Sequence, residues 1–158
     1  MESTKQAIFK CGEENYGLDI MSIISIEKTI SIKKVANSPK NMKGIMDLRG
    51  DKIPVYSLRS KFGLEEKEED PDTRLMITSS NGTPIALEVD KMEGIAEFEA
   101  EQILEVPPLV RSKNTSYMKA VTKNKDRLVI LMDPEGILSE EEQNNIKEII
   151  KKAKAKGE

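Results

Sequence analysis

The chemistry open to this chain is bounded by a residue it lacks: none of its 158 residues is histidine. Histidine is the usual general base near neutral pH and the commonest metal ligand, so Ser-His-Asp triads and Cys/His zinc sites are excluded. The single cysteine, Cys11, has no partner for an internal disulfide. A carboxylate pair of Asp19 with Glu88 or Asp90, or lysine chemistry, is what remains to an enzyme, and no spacing brings those acids together. The sequence points to no catalytic residue, no metal site and no cofactor. Recognition chemistry does stand out. Residues 44–64 read GIMDLRGDKIPVYSLRSKFGL, two apolar runs meeting at Arg-Gly-Asp, with Arg49 at the tip and Arg59 at the far end. A guanidinium presents a planar fork of donors. Three readings of Arg49 stay open: a solvated turn residue, a brace on Asp47 or Asp51, or a contact for a partner.

The elements that would carry these residues are short and β-rich. Residues 7–20 (AIFKCGEENYGLDI) read as strand, turn and strand, with Tyr16, Leu18 and Ile20 on one face. Residues 21–35 hold Ile24, Ile26, Ile30 and Ile32 at even spacings, which favours strand, while Ile20, Ile23 and Ile24 also fit one helical turn. Asn37-Ser38-Pro39 breaks the pattern before the hairpin at 43–58, and the charged run EEKEEDPD (65–72) reads as an exposed connector.

Beyond it the pattern returns. Residues 74–89 are again strand, Asn81-Gly82 turn and strand. MKAVTKNKDRLVILMD (118–133) sets beside MKGIMDLRGDKIPVYSL (42–58) with one single-residue gap, which makes the chain an internal duplication. The expected organisation is one domain over 1–158, with halves 6–64 and 73–138 built as small β-barrels. Each half is only marginally large for stability, so the two are expected to share a core or exchange strands. Ser139-Glu140-Glu141-Glu142 has the form of a capping box, and Ile146, Ile149, Ile150 and Ala153 recur at helical spacing, predicting a docked helix over 139–155 with a lysine-rich end running to Lys156.

Composition narrows the partners. Net charge is −3 and aromatic residues make up 4%, which leaves neither the field nor the stacking surface that nucleic acid needs. A small β-barrel binding nucleic acid through Lys33, Lys34, Lys40 and Lys43 is the alternative from another class. No run such as Leu128–Met132 approaches the roughly 20 apolar residues that span a bilayer. No cationic leader followed by an apolar stretch opens the chain, so a cytosolic protein is expected, and Arg-Gly-Asp falls where a hairpin needs its glycine rather than serving as an adhesion motif.

The order YGLDIMSII (16–24), NSPKNMKGIMDLRGDKIPVYSLRSKFGL (37–64), LEVDKMEGI (87–95) and DRLVILMDPEGIL (126–138) resembles the chemotaxis coupling protein family CheW, over roughly residues 6–150. Leu48, Arg49, Gly50, Pro54, Val55, Leu58 and Arg59 match its central motif, with Asp47 where asparagine is usual and Ser57 where aspartate is usual. The resemblance implies two intertwined SH3-like five-stranded β-barrels with a C-terminal α-helix. It implies a non-enzymatic adaptor, cytoplasmic and recruited to membrane-bound receptor arrays, that bridges chemoreceptor cytoplasmic tips to the regulatory domain of the histidine kinase CheA. Ile20 and Ile23 match receptor-binding positions, and Gly44 and Arg49 match positions needed for coupling. Ser25 stands where the family often has glutamate, with Glu27 two further on and on the same strand face. A detached kinase regulatory domain is a close variant, and a freestanding protein is favoured because Met1 lies just before the first strand and the chain closes with its own capped helix.

Overall fold

The computed structural model describes residues 3–28, 32–36, 38–80, 82–105 and 117–155. Ile30, Asn37, Asn81 and Lys156, which figure in the sequence reading, lie outside them. The strands are β1 (Thr4–Cys11), β2 (Glu14–Asp19), β3 (Ile23–Lys28), β4 (Met42–Leu48), β5 (Asp51–Ser57), β6 (Arg74–Ser80), β7 (Thr83–Val89), β8 (Lys91–Phe98), β9 (Leu104–Glu105), β10 (Met118–Asn124) and β11 (Arg127–Met132). Two α-helices accompany them, α1 (Leu58–Lys61) and α2 (Glu140–Ala155). Neither helix is long and apolar enough to cross a membrane.

The strands form two sheets, ordered β8-β1-β2-β11-β10-β9 and β3-β6-β7-β5-β4. Each takes strands from both sides of the connector, so the exchange expected from the marginal size of each half is realised. Ile8, Phe98, Ala120, Val129 and Leu131 pack on one another from one face of the first sheet; Met46, Ile53, Val55, Leu75, Ile77 and Ala86 do so in the second. A single sheet can bury one of its own faces this way only by curling into a barrel. The first barrel has five full strands and the two-residue β9.

Alternate residues of the same strands face outward into a third, shared core. Phe9, Tyr16 and Leu18 from the first sheet meet Tyr56, Met76 and Leu87 from the second, together with Ile137, Leu138 and Ile146. Apolar residues on both faces of a strand are what sheets buried on two sides require. Phe9, Tyr16, Phe62 and Tyr117 pack in a row through this core, with successive ring centroids 5.7, 4.4 and 4.9 Å apart, the first two pairs stacked and the last tilted.

The duplication is visible in the register. The β4–β5 ladder slips between Met42 and Gly44, and the β10–β11 ladder slips between Met118 and Ala120, the same place in each hairpin. Ser57 N–H donates to Asn41 O at 2.8 Å, and Asp133 N–H to Tyr117 O at 2.8 Å. Both turns have two residues with positive φ, Arg49 (51°) and Gly50 (89°) in one, Lys125 (53°) and Asp126 (66°) in the other, the pattern of type I′ hairpins. The copies therefore run at one constant offset, Met42 to Met118 and Ser57 to Asp133, without the single-residue gap expected from sequence. Matching Asp51-Lys52 to Asp126-Arg127 by residue type had forced that gap; turn geometry puts Asp51 opposite Arg127.

The C-terminal helix forms as its sequence predicts. Glu142 N–H donates to Ser139 Oγ at 3.1 Å, and Ser139 N–H donates to Glu142 Oε1 at 3.1 Å, the reciprocal bonds of a capping box. Ile146 is buried, and Ile149, Ile150 and Ala153 pack on the shared core. Tyr56 Oη donates to the other oxygen of Glu142, fastening the helix start to β5.

Candidate functional site

The two barrels meet along a shallow apolar groove of about 400 Å³. One wall is built by Ile20, in a 3₁₀ turn at Ile20–Ser22, and by Ile23, Ser25 and Ile26 of β3; the other by Met92, Gly94 and Ile95 of β8, with Ala7 of β1 between them. No charged side chain lines it. Both wall strands are end strands of their sheets, β3 pairing with β6 and β8 with β1.

Local chemistry explains the shape. The Asp19 carboxylate accepts the Met21 N–H at 2.9 Å and starts the 3₁₀ turn, and Thr78 Oγ1 donates to Ser22 O at 2.6 Å, tying that turn to the second barrel. Of the expected strand over 21–35, the described residues accordingly form β3 from Ile23 to Lys28, not from residue 21. Each wall then carries a bulge. In β3 the pairing jumps from Ile23↔Thr78 to Ser25↔Ile77, and in β8 from Met92↔Phe9 to Gly94↔Ile8. A bulge bends a strand and re-aims its side chains. Position by position, Ile23 corresponds to Met92, Ser25 to Gly94 and Ile26 to Ile95, so the groove lies where the duplicated halves face each other.

Of the receptor-binding positions expected from sequence, Ile20 and Ile23 both line this groove, Ile23 being half-buried and packed on the shared core as well. The opposite wall, Met92 and Ile95, was missed. Ile95 is 67% exposed and Ile26 45%. The available signal was an isoleucine within KMEGIAEF, a strand otherwise reading as solvated. Ser25 Oγ is buried without a hydrogen-bond partner at the position where a glutamate was expected.

Gly44 and Arg49 lie elsewhere, on the second barrel. Gly44 is buried, and a Cβ there would overlap the carbonyl oxygen of Lys33 and approach Ile32 Cγ2 to 2.8 Å. That close approach lets Lys33 and Ile45 exchange two backbone hydrogen bonds of 2.8 Å, which draw residues 32–33 onto β4 and close the barrel. Arg49 is 72% exposed, and its Nη2 lies 3.7 Å from Glu27 Oε2 at the end of β3. Of the acids open to it as a brace, Asp47 or Asp51, Asp47 instead pairs with Lys52 at 2.6 Å. Arg49 thus faces a carboxylate of its own barrel and leaves most of its surface to solvent.

Arg59, given little weight from sequence, is the better-built ion pair. Its Nη1 donates to Asp90 Oδ2 at 2.6 Å and its Nε to Glu65 O at 2.7 Å, while Gly12 N–H donates to the same Asp90 oxygen at 2.8 Å. Arg59 follows β5 of the second barrel, Gly12 belongs to the β1–β2 turn of the first, and Asp90 sits where the chain crosses between them. This clasp ties one barrel to the other. Sequence could not reveal it, because its three members are far apart along the chain.

Burial shifts several titratable groups among the described residues. Burial pushes the Cys11 thiol up to about 12, so it stays protonated and unreactive at neutral pH. Burial, then the bond to Glu142, raises the Tyr56 phenol. Burial works to raise Glu142, but the hydrogen bonds from Tyr56 and Ser139 and the Lys61 charge outweigh it and hold this carboxyl below its ordinary value. Glu88 is raised, chiefly by burial, with Lys43 at 2.9 Å opposing.

The chain matches the CheW-like domain family over residues 6–142. It is 30% identical over 144 residues to the chemotaxis protein CheW of Klebsiella aerogenes, covering 91% of this chain and 87% of that protein. To the chemotaxis protein CheW of Helicobacter pylori it is 31% identical over 133 residues, covering 84% and 80%. The solved structure of the scaffolding protein TtCheW from Thermoanaerobacter tengcongensis superposes with a TM-score of 0.80 at 29% identity, covering 90% of this chain and 96% of that one. The two-sheet fold with its C-terminal helix is thus that of a known scaffold, and the chain belongs to the CheW family of chemotaxis scaffolding proteins.

Proposed function

We propose that this protein is a non-enzymatic adaptor that couples the cytoplasmic tips of chemoreceptors to the histidine kinase CheA through its regulatory domain. The whole chain acts as one adaptor domain, with duplicated halves 6–64 and 73–138, on the cytoplasmic side of receptor arrays and without inserting in the membrane. The observation that carries the reading is the uncharged groove between the barrels, whose aliphatic walls suit the apolar stripe of a helical receptor tip. Ile20 and Ile23 contribute one wall of the receptor site. Gly44 serves coupling through closure of the second barrel rather than by contact, and Arg49 serves it as an exposed cation held near Glu27.

The test is a titration of a receptor tip fragment and of the kinase regulatory domain against wild type, Ile23→Asp and Ile95→Asp. Both variants are expected to weaken receptor binding at least about tenfold while kinase binding persists, because each places a charge in an apolar contact. Ile95→Asp is the cleaner probe, since Ile95 is exposed whereas Ile23 also touches the core. Unchanged receptor affinity in a folded Ile95→Asp protein would remove the groove from the function.

A further inference from the structure

Where α2 crosses β5 and the β6–β7 turn it leaves a cavity of about 500 Å³. The floor is apolar, made by Ile53 and Pro54 of β5, Pro84 of β7 and Ile150 of the helix. The rim is cationic. Lys147, Lys151 and Lys154 stand at i, i+4 and i+7, on one face of α2, and all three are exposed. No carboxylate among the described residues pairs with any of them. Lys52, also in the lining, is already neutralised by Asp47 at 2.6 Å. The one acid of the lining is Asp51, so three lysines against one carboxylate leave two positive charges, in a chain whose net charge is −3.

The helix dipole does not account for this rim. It draws cations to the last turn, where Lys152 and Lys154 lie, and its effect does not reach Lys147 two turns earlier. Solvation does not account for the opposite wall. Ser80 and Thr83, paired across the β6–β7 turn, are 0% and 7% exposed, and neither side-chain oxygen has a hydrogen-bond partner. Thr83 lines the cavity. Buried hydroxyls are seldom left unpaired in a folded protein, and each such case asks for a partner.

We propose that this cavity is a binding site for a phosphate monoester with an apolar or aromatic body, of the size of a nucleoside monophosphate. Its volume lies within the range of small-ligand sites. A phosphate monoester carries a charge of about −1.5 to −2 at neutral pH, which matches the surplus on the rim. The lysines of α2 hold the phosphate as point charges, the body rests on Pro54, Pro84 and Ile150, and a χ1 rotation turns the unpartnered Thr83 hydroxyl to the ligand. The site is separate from the groove between the barrels and does not depend on what that groove binds.

The test titrates adenosine monophosphate into the full chain by isothermal titration calorimetry at low salt, with adenosine and inorganic phosphate as the two halves of the probe. Saturable binding is expected, with each half at least about tenfold weaker. Lys147→Glu and Lys151→Glu should each lower affinity at least about tenfold, whereas Lys123→Glu, the same charge change on an exposed lysine of β10, should leave it within about twofold. Thr83→Val should lower affinity about threefold or more and leave the unliganded protein at least as stable as wild type, because the hydroxyl has no partner to lose. Circular dichroism of each variant confirms folding. Absence of saturable binding overturns the proposal, as does a Thr83→Val protein that is less stable but binds normally. Equal losses from Lys123→Glu and Lys151→Glu, or inorganic phosphate binding as tightly as adenosine monophosphate, also overturn it, leaving only a general attraction for anions. So does a single-stranded RNA that competes with the mononucleotide and binds more tightly, since a polymer would then be the occupant.

Discussion

Replacing Arg59 by alanine removes the clasp between the barrels, and its cost can be worked from the geometry. Asp90 loses a charged donor at 2.6 Å and keeps the Gly12 N–H at 2.8 Å, and the Glu65 carbonyl loses its donor at 2.7 Å. The two charged side chains are 18% and 16% exposed. Exposed ion pairs contribute about 0–1 kcal/mol, and removing one partner of a fully buried pair costs about 3–5 kcal/mol. The clasp lies between these limits and nearer the buried one, so Arg59→Ala should cost about 2–3 kcal/mol, or about 4–12 °C in Tm for a chain of this size. Urea unfolding followed by far-UV circular dichroism measures the loss. A double-mutant cycle with Asp90→Asn should return a coupling of about 1–2 kcal/mol. Arg49→Ala is the control: with 72% of its side chain exposed and 3.7 Å to Glu27, it should change stability by no more than about 0.5 kcal/mol. Because Gly12 N–H is held by the same carboxylate, its hydrogen exchange should quicken in Arg59→Ala. A loss no larger than that of Arg49→Ala, or a coupling near zero, would refute the reasoning.

Gly44→Ala should destabilise by about 2–3 kcal/mol, since the added methyl meets backbone that cannot rotate away; exchange of the Ile45 N–H, which donates to Lys33 O, reports the opening of the barrel. The Glu142 carboxyl is held below its ordinary value in the folded state, so its contribution is present above the unfolded pKa of about 4.3 and is lost as pH falls through the lower folded value. Wild type should therefore exceed Glu142→Gln in stability at pH 7, and the gap should close on acidification, as read from unfolding free energies between pH 7 and pH 3. Arg49→Ala, folded and of unchanged stability, should lose assembly into a ternary complex with receptor tip and kinase regulatory domain in a pull-down; full retention would return Arg49 to a solvated turn residue.

The sequence by itself determined much of the local structure, because short-range chemistry decides it. Ser139 and Glu142 cap α2 as their spacing predicts, and the apolar periodicity of Ile146, Ile149 and Ile150 sets the docked face of that helix. The repeat of one hairpin in the other was legible from Met42-Lys43-Gly44-Ile45 and Met118-Lys119-Ala120-Val121, although residue matching misplaced the turn, which backbone dihedrals place without a gap. Ile20 and Ile23 stood out only through the resemblance to the CheW family, since their spacing alone fits either a strand or one helical turn. Only the tertiary structure decided what faces them. The exchange of β3 and β8 between sheets brings Met92 and Ile95 against a wall from the other half of the chain, and no periodicity within a strand encodes its neighbour across a junction. The same holds for Arg59, Asp90 and Gly12, whose convergence depends on chain crossing. Local propensity acts within a few residues; burial and pairing across barrels are set by topology, which the sequence specifies only as a whole.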